Sequence, residues 1–394
     1  MGTSTWFAAV SMYVIVTLLS WMIEELPGPA MSRLYQVWDH WDTGYYMRIS
    51  RIGYTADRPD THAFFPLFPI LLRGVDTVVP GPTLISSLVL SNLCCIGALV
   101  MLHRFAAREV GSATADRTLL FLMAFPTGFF LSAGYNGSLF LLLSVSALYS
   151  LRSGRFWLAA VFGAFASATR LTGALLVLPF VMEYARLNAW RAPAWLQRRP
   201  WRPDRDRPGP RLLVGRGRLG LDAAGVLLIP VGVAAFATYC WIAFGDPLDF
   251  AHAQQVWGKH LAPPWVGFQQ AIHMVSLQPM ALYQAGLHNL LDIGFGLGSI
   301  LLLVLCVVGP WRLRRDQLFL VAYAAATLLT VLMSPAGGLF PMMGIPRYAL
   351  ELTPNFLLLA RLGAHRAVER LYLLPAIGLQ AVLLLAFLRN IWVA

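Results

Sequence analysis

Apolar runs recur along the chain at lengths that suit helices in a bilayer, not the ten-residue alternating strands of a barrel. The pattern predicts eleven spans, at about Trp6–Leu26, Thr83–His103, Arg117–Ala133, Ser138–Leu151, Phe156–Ala168, Leu171–Arg186, Leu221–Phe244, Gly286–Gly309, Gln317–Ser334, Tyr348–Leu362 and Leu371–Leu388. The run Phe64–Val79 is apolar but short and is interrupted by Pro66, Pro69, Arg73 and Asp76. It reads as an interfacial or re-entrant helix. Thr43–Ile52 reads as a second interfacial helix, with Tyr45, Tyr46 and Ile49 toward lipid and Arg48 and Arg51 outward. Between Arg117 and Arg186 the predicted helices are short and paired, which leaves room for a cavity. The expected fold class is an all-α polytopic membrane protein with a large first outer loop.

Composition and charge then orient this pattern. Of 394 residues 58% are hydrophobic and 12% charged, about half the charge of a soluble domain. The net charge of +11 does not imply nucleic acid, because the 30 basic residues, all but Lys259 arginine, gather in short interhelical loops. With the N-terminus inside, the inner loops hold 21 of them and the outer segments eight, as orientation by basic residues and attraction to anionic lipid require. Counting Phe64–Val79 as a span would throw the ten-arginine loop Glu183–Gly220 outside. The expected division is a module at 1–187 with its outer loop at 27–82, an inner Arg/Pro-rich linker at 188–220, and a module at 221–394 with its outer loop at 245–285. The N-terminal run lacks a basic n-region and reads as a retained helix. Cys94, Cys95, Cys240 and Cys306 fall in apolar runs without metal-ligand spacing and read as small core residues.

Three polar intervals share the predicted outer side: Trp38–Arg73, Gly245–Ala285 and Pro335–Arg347. They hold Asp39, His40, Asp42, Asp246, Asp249, His252, His260 and Arg347, a mixture that no inner loop carries. The chemistry is therefore expected on the non-cytoplasmic face of what reads as a bacterial plasma-membrane protein. Asp42 fits either a cap on the helix beginning near Thr43 or a working carboxylate. Asp39, Asp42 and His40 form a sequence-local set for a divalent cation, a poor cage without further ligands. Arg170 sits between two half-spans, where a charge calls for a partner or a function. Arg347 fits a phosphate clamp or an interfacial arginine, and His62 fits either an acceptor site or a plain loop. The run Phe64–Pro69 fits an apolar shelf for a prenyl chain or an interfacial anchor.

His40-Trp41-Asp42-Thr43-Gly44-Tyr45-Tyr46, Gly53-Tyr54 and Ala63-Phe64-Phe65-Pro66-Leu67-Phe68-Pro69 resemble the PIG-V-like mannosyltransferase family of the GT-C superfamily. Further matches follow in order: Phe125-Pro126-Thr127 with Tyr135 and Ser138-Leu139-Phe140, Thr169-Arg170 with Thr172-Gly173, Gly245-Asp246-Pro247-Leu248 with Trp257, and Arg347-Tyr348 before Pro354. The resemblance implies a GT-C-type bundle and an inverting mannosyltransferase. Its donor would be a polyprenyl-phosphate sugar and its acceptor a lipid or glycan hydroxyl, with no resident cofactor. It implies Asp42 as general base, Arg347 and Arg170 on the donor phosphate, and Trp41, Asp39, His62, Tyr135 and Tyr348 around the substrates. Where relatives often carry glutamate, this chain has Gly137. The alternative from another class is a flippase for lipid-linked saccharide; the chain shows no duplicated pattern of the kind transporters carry.

Overall fold

The computed structural model describes residues 35–188, 220–277 and 284–393. The span expected at Trp6–Leu26 and nearly all of the linker expected at 188–220 lie outside them. Among the described residues every regular element is a helix. In chain order these are α1 (Asp42–Ile52), α2 (Leu67–Asp76), α3 (Thr83–Val110), α4 (Ser112–Met123), α5 (Gly137–Arg152), α6 (Phe156–Ser167), α7 (Val177–Leu187), α8 (Val231–Phe244), α9 (Asp249–His252), α10 (Val266–Leu277), α11 (Gln284–Val307), α12 (Leu318–Leu332), α13 (Ile345–Tyr348), α14 (Thr353–Leu362) and α15 (Arg366–Leu388). Short 3-10 turns join several of them.

Among the described residues four helices, Thr83–Val110, Ala285–Val307, Arg315–Leu332 and Arg366–Leu388, are long and apolar enough to cross a membrane. A fifth span arises if Leu221–Leu228 and Val231–Phe244, bent by 43° at the break, count together; the Pro230 ring at that break removes a helix donor. The chain is a multi-pass membrane protein. The other expected spans are shorter or broken pieces. In the run at 117–133 the α-helix stops at Met123, before Pro126, and only a 3-10 turn at Gly128–Leu131 follows, while the run at 171–186 opens as a 3-10 turn at Leu171–Leu176. At ten residues, α2 rises only about 15 Å, too little to span.

The paired short helices turn back where they do because their ends interlock. The Asn136 side chain donates to the Thr169 carbonyl at 3.1 Å. A Cβ on Gly173 would stand 2.3 Å from the Ala166 carbonyl carbon, so only glycine lets the 3-10 turn rest against α6. The main core runs through α3, α4, α5, α6 and α7, with Phe105, Phe121, Phe140 and Phe180 fully enclosed. A second core joins α11, α12 and α14. All four cysteines are buried and free.

The loops sort to two ends. At one, Arg152 at the end of α5 reaches Glu109 at 2.7 Å, Glu183 at 3.3 Å and the Asp316 carboxylate. Arg314 joins Glu109 at 3.4 Å, and Arg361 donates to the Arg312 carbonyl at 3.3 Å. Residues from the predicted inner loops at 103–117, 152–155, 183–220, 310–316 and 361–370 are tied together here. At the other end the three polar intervals meet. Gln254 donates to the Ala63 carbonyl at 3.4 Å, the His260 amide to the Pro335 carbonyl at 3.3 Å, and the Gly337 amide to the Trp257 carbonyl at 3.3 Å.

Candidate active site

The first loop folds as a hard turn into α1. Trp41, the residue before the helix, has a φ of 53°, a left-handed backbone that costs a bulky residue energy and is held by its surroundings. Its ring packs edge-on against Trp392, with centroids 4.7 Å apart. The turn places Asp42 in the first helical turn with no capping hydrogen bond from the residue before it. Asp42 is not the cap. Its carboxylate accepts from the Arg347 guanidinium, 305 residues away in sequence.

α1 is also not the lipid-facing helix expected. Tyr46 and Ile49 are buried in protein, at 3% and 4% exposure. Tyr46 packs on Phe64 and Phe68, at 5.3 and 4.9 Å, because the aromatic-proline run folds back over α1. That run offers no open shelf for a prenyl chain. Phe68 is fully enclosed, and Phe65 packs against Phe236 and Phe250 at 5.2 and 5.5 Å. Tyr45 stacks on Phe64 at 4.6 Å, and Trp257 of the second interval covers both rings at 5.9 Å.

Arg347 lies over the rings of Tyr135 and Phe130, at 5.5 and 5.7 Å from their centroids. Tyr135 is buried and donates its hydroxyl to the His40 carbonyl at 3.3 Å, so it braces both the first loop and Arg347. Arg170 lies beside this pair and closes a second one. It bonds the Asn136 amide oxygen at 3.0 and 2.7 Å, reaches the Glu351 carboxylate, and lies over the Tyr348 ring at 5.1 Å. A pocket opens between them, lined by Phe130, Tyr135, Gly137, Arg170, Arg347 and Glu351 among others. A Cβ at Gly137 would sit 3.6 Å from an Arg170 terminal nitrogen. The carboxylate expected by resemblance at that position is absent, and Glu351 supplies the arginine with its charge from another helix.

Two expected site residues and one candidate ligand set are placed otherwise. His62 is buried at a joint between loops. Nδ1 meets Asp249, Nε2 lies 3.1 Å from the Thr55 carbonyl, and the ring stacks on Phe244 at 4.1 Å. With both nitrogens engaged and no place on the pocket wall, it holds the first loop to the second instead of lining an acceptor site. Asp39 is exposed and stands outside the pocket lining. The cation considered for Asp39, His40 and Asp42 finds no cage: Asp42 is taken by Arg347, and His40 Nε2 lies 3.3 Å from the Leu388 carbonyl. Among the described residues no other group of three or more metal-ligating side chains converges.

Glu351 was not singled out from the sequence, although an acid inside an apolar run is the signal that marks such residues. It is 5% exposed, and its Oε2 has no hydrogen-bond partner.

Residues 25–192 match the family described as Mannosyltransferase (PIG-V). Human GPI alpha-1,6-mannosyltransferase 2 is 34% identical over 155 residues, 36% of this chain and 31% of that protein. The mouse protein of the same name is 30% identical over 174 residues, 41% of this chain and 34% of the relative. The aligned stretch thus spans about a third of these relatives. Among solved structures, ArnT from Cupriavidus metallidurans bound to undecaprenyl phosphate is similar with a TM-score of 0.49 at 16% identity, over 90% of this chain and 59% of that one. The Archaeoglobus fulgidus oligosaccharyltransferase in the apo form gives a TM-score of 0.45 at 12% identity, over 98% and 56%. Asp42, Tyr135 and Arg170 all lie within the stretch that matches the family described as Mannosyltransferase (PIG-V).

Proposed function

We propose that the chain is an inverting mannosyltransferase of the GT-C type. It moves mannose from a polyprenyl-phosphate carrier to a hydroxyl of a lipid or glycan on the non-cytoplasmic face. The observation that carries the reading is the Asp42–Arg347 pair at the meeting point of three polar loops. It sets a carboxylate that can take a proton beside a guanidinium that can hold a phosphate. The matched family is a transferase family, which supports transfer over transport.

Asp42 accepts the acceptor's hydroxyl proton as the oxygen attacks the anomeric carbon. The bond from that carbon to the phosphate oxygen breaks, and its electron pair leaves with the phosphate. Arg347 stabilises the departing charge, with Arg170 beside it, by charge-assisted hydrogen bonds. Attack opposite the leaving group inverts a β-linked donor to an α-mannoside. Trp41, Tyr135 and Tyr348 shape the space around the reacting groups. Enclosure by the Tyr45, Phe64 and Trp257 rings limits water, the competing nucleophile.

Purified protein in lipid nanodiscs, offered polyprenyl-phosphate mannose with inositol-glycolipid and glycan acceptors, is expected to form an α-mannoside. GDP-mannose is expected to give none. Transfer from the nucleotide sugar, or from no prenyl-phosphate sugar at all, would contradict the reading; product NMR reads the anomer.

A further inference from the structure

We propose that Lys259, the chain's only lysine, is the cation that first receives the donor's phosphate and thereby frees Arg347 from Asp42. The inference rests on the transferase reading above and names a residue to which that reading gave no role.

Both arginines at the site are already engaged. Arg347 is paired with Asp42, and Arg170 with Glu351. Each pair cancels its own charge, so neither offers a net positive field to an arriving phosphate. Lys259 makes no ion pair with any described carboxylate, and the charges that act on its ammonium are Arg347, Asp42 and Arg170. Of the three cations whose charges meet here, it is the one that closes no ion pair among the described residues.

The backbone carries Lys259 to this position by a tight seam. Gly258 has a φ of 67°, and a Cβ there would stand 2.7 Å from the Gly337 amide nitrogen, so only glycine permits the contact. On one side Trp257 covers Tyr45 and Phe64 of the first loop. On the other the His260 amide is bonded to Pro335, in the interval that leads to Arg347. Lys259 therefore sits where all three polar intervals close on each other. Burial, then the like charges of Arg347 and Arg170, push its ammonium down to about 8, against the pull of Asp42. A phosphate is the counter-charge that such a crowded cation lacks. Once the phosphate is held there, it competes with Asp42 for Arg347. The carboxylate is released as a base only when the donor is present, which disfavours proton transfer without it.

The test is steady-state transfer from polyprenyl-phosphate mannose by the full chain in nanodiscs, comparing Lys259→Met, Lys259→Gln and Lys259→Arg. Loss of one charged contact to phosphate is expected to raise the donor KM about tenfold or more in the Met and Gln variants, with a smaller fall in kcat. The Arg variant should recover the wild-type KM. The wild-type donor KM should also rise as the pH passes about 8 and the ammonium loses its proton, while Lys259→Arg stays flat. Asp42, Arg170, Arg347 and the neighbouring His260 are common to both proteins, so the difference reports position 259. An active wild type with an unchanged donor KM in both neutral variants, or a loss confined to kcat, overturns the assignment to Lys259 alone. A wild type that transfers from no prenyl-phosphate sugar overturns the transferase reading and this inference with it.

Discussion

Asp42→Asn is expected to lower mannose transfer at saturating donor by about 10²–10⁴-fold, the usual contribution of a positioned general base. Asparagine keeps the shape but cannot take the acceptor's proton. The same substitution removes the carboxylate that holds Arg347, leaving the guanidinium free for phosphate. Donor affinity should therefore rise or hold while turnover collapses. Donor binding by a lipid-phosphate competition assay and transfer by product formation separate the two effects. Transfer within tenfold of wild type would remove Asp42 as the base. Loss of donor binding together with turnover would make it a structural carboxylate.

The second large effect is on stability and lies at the far end of the molecule. Arg152 is enclosed with Glu109 and Glu183, each 1% exposed. Replacing it with Met leaves carboxylates buried with too little compensation, and breaking such a pair costs about 3–5 kcal/mol. Arg314, Gln317 and Arg186 retain contacts to these acids, which favours the lower part of that range. Thermal or denaturant unfolding in nanodiscs should show the loss. Arg152→Met combined with Glu109→Gln should be less destabilised than the two losses added, because the groups share one network. Additive losses would mean that the network does not act as a unit. The fraction that stays folded should keep its donor KM. Arg152 ends the 16-residue helix α5 that starts beside the pocket, about 24 Å away at 1.5 Å per residue.

Much of this layout is legible in the sequence, for definite reasons. Arginine placement separated the loops into two groups, and their residues meet at two ends because charged loops cannot lie within hydrocarbon. Asp42 and Arg347 were each singled out, but nothing in either local pattern says that they touch; that contact depends on how Trp41 turns and how residues 335–347 fold back. A histidine in a polar loop gives no sign of its partners, which for His62 are Asp249 and the Thr55 carbonyl. Phe64–Pro69 was read against lipid because apolarity does not distinguish lipid from a folded-over neighbour such as Tyr46. Glu351 falls inside the span expected at Tyr348–Leu362, and nothing in that run names Arg170 as its partner. Lys259 carried a weak signal, a lone lysine among arginines, and became informative only when both site arginines proved to be engaged.

The central claim is that the space around Asp42 and Arg347 takes the donor's phosphate and sugar. A structure of the protein with a non-transferable phosphonate analogue of polyprenyl-phosphate mannose tests it most directly. The account predicts phosphonate oxygens within hydrogen-bond reach of Arg347 and Lys259, an opened Asp42–Arg347 pair, and Asp42 on the side of the anomeric carbon away from the phosphonate. An analogue bound elsewhere, with Asp42 and Arg347 still paired, would contradict it.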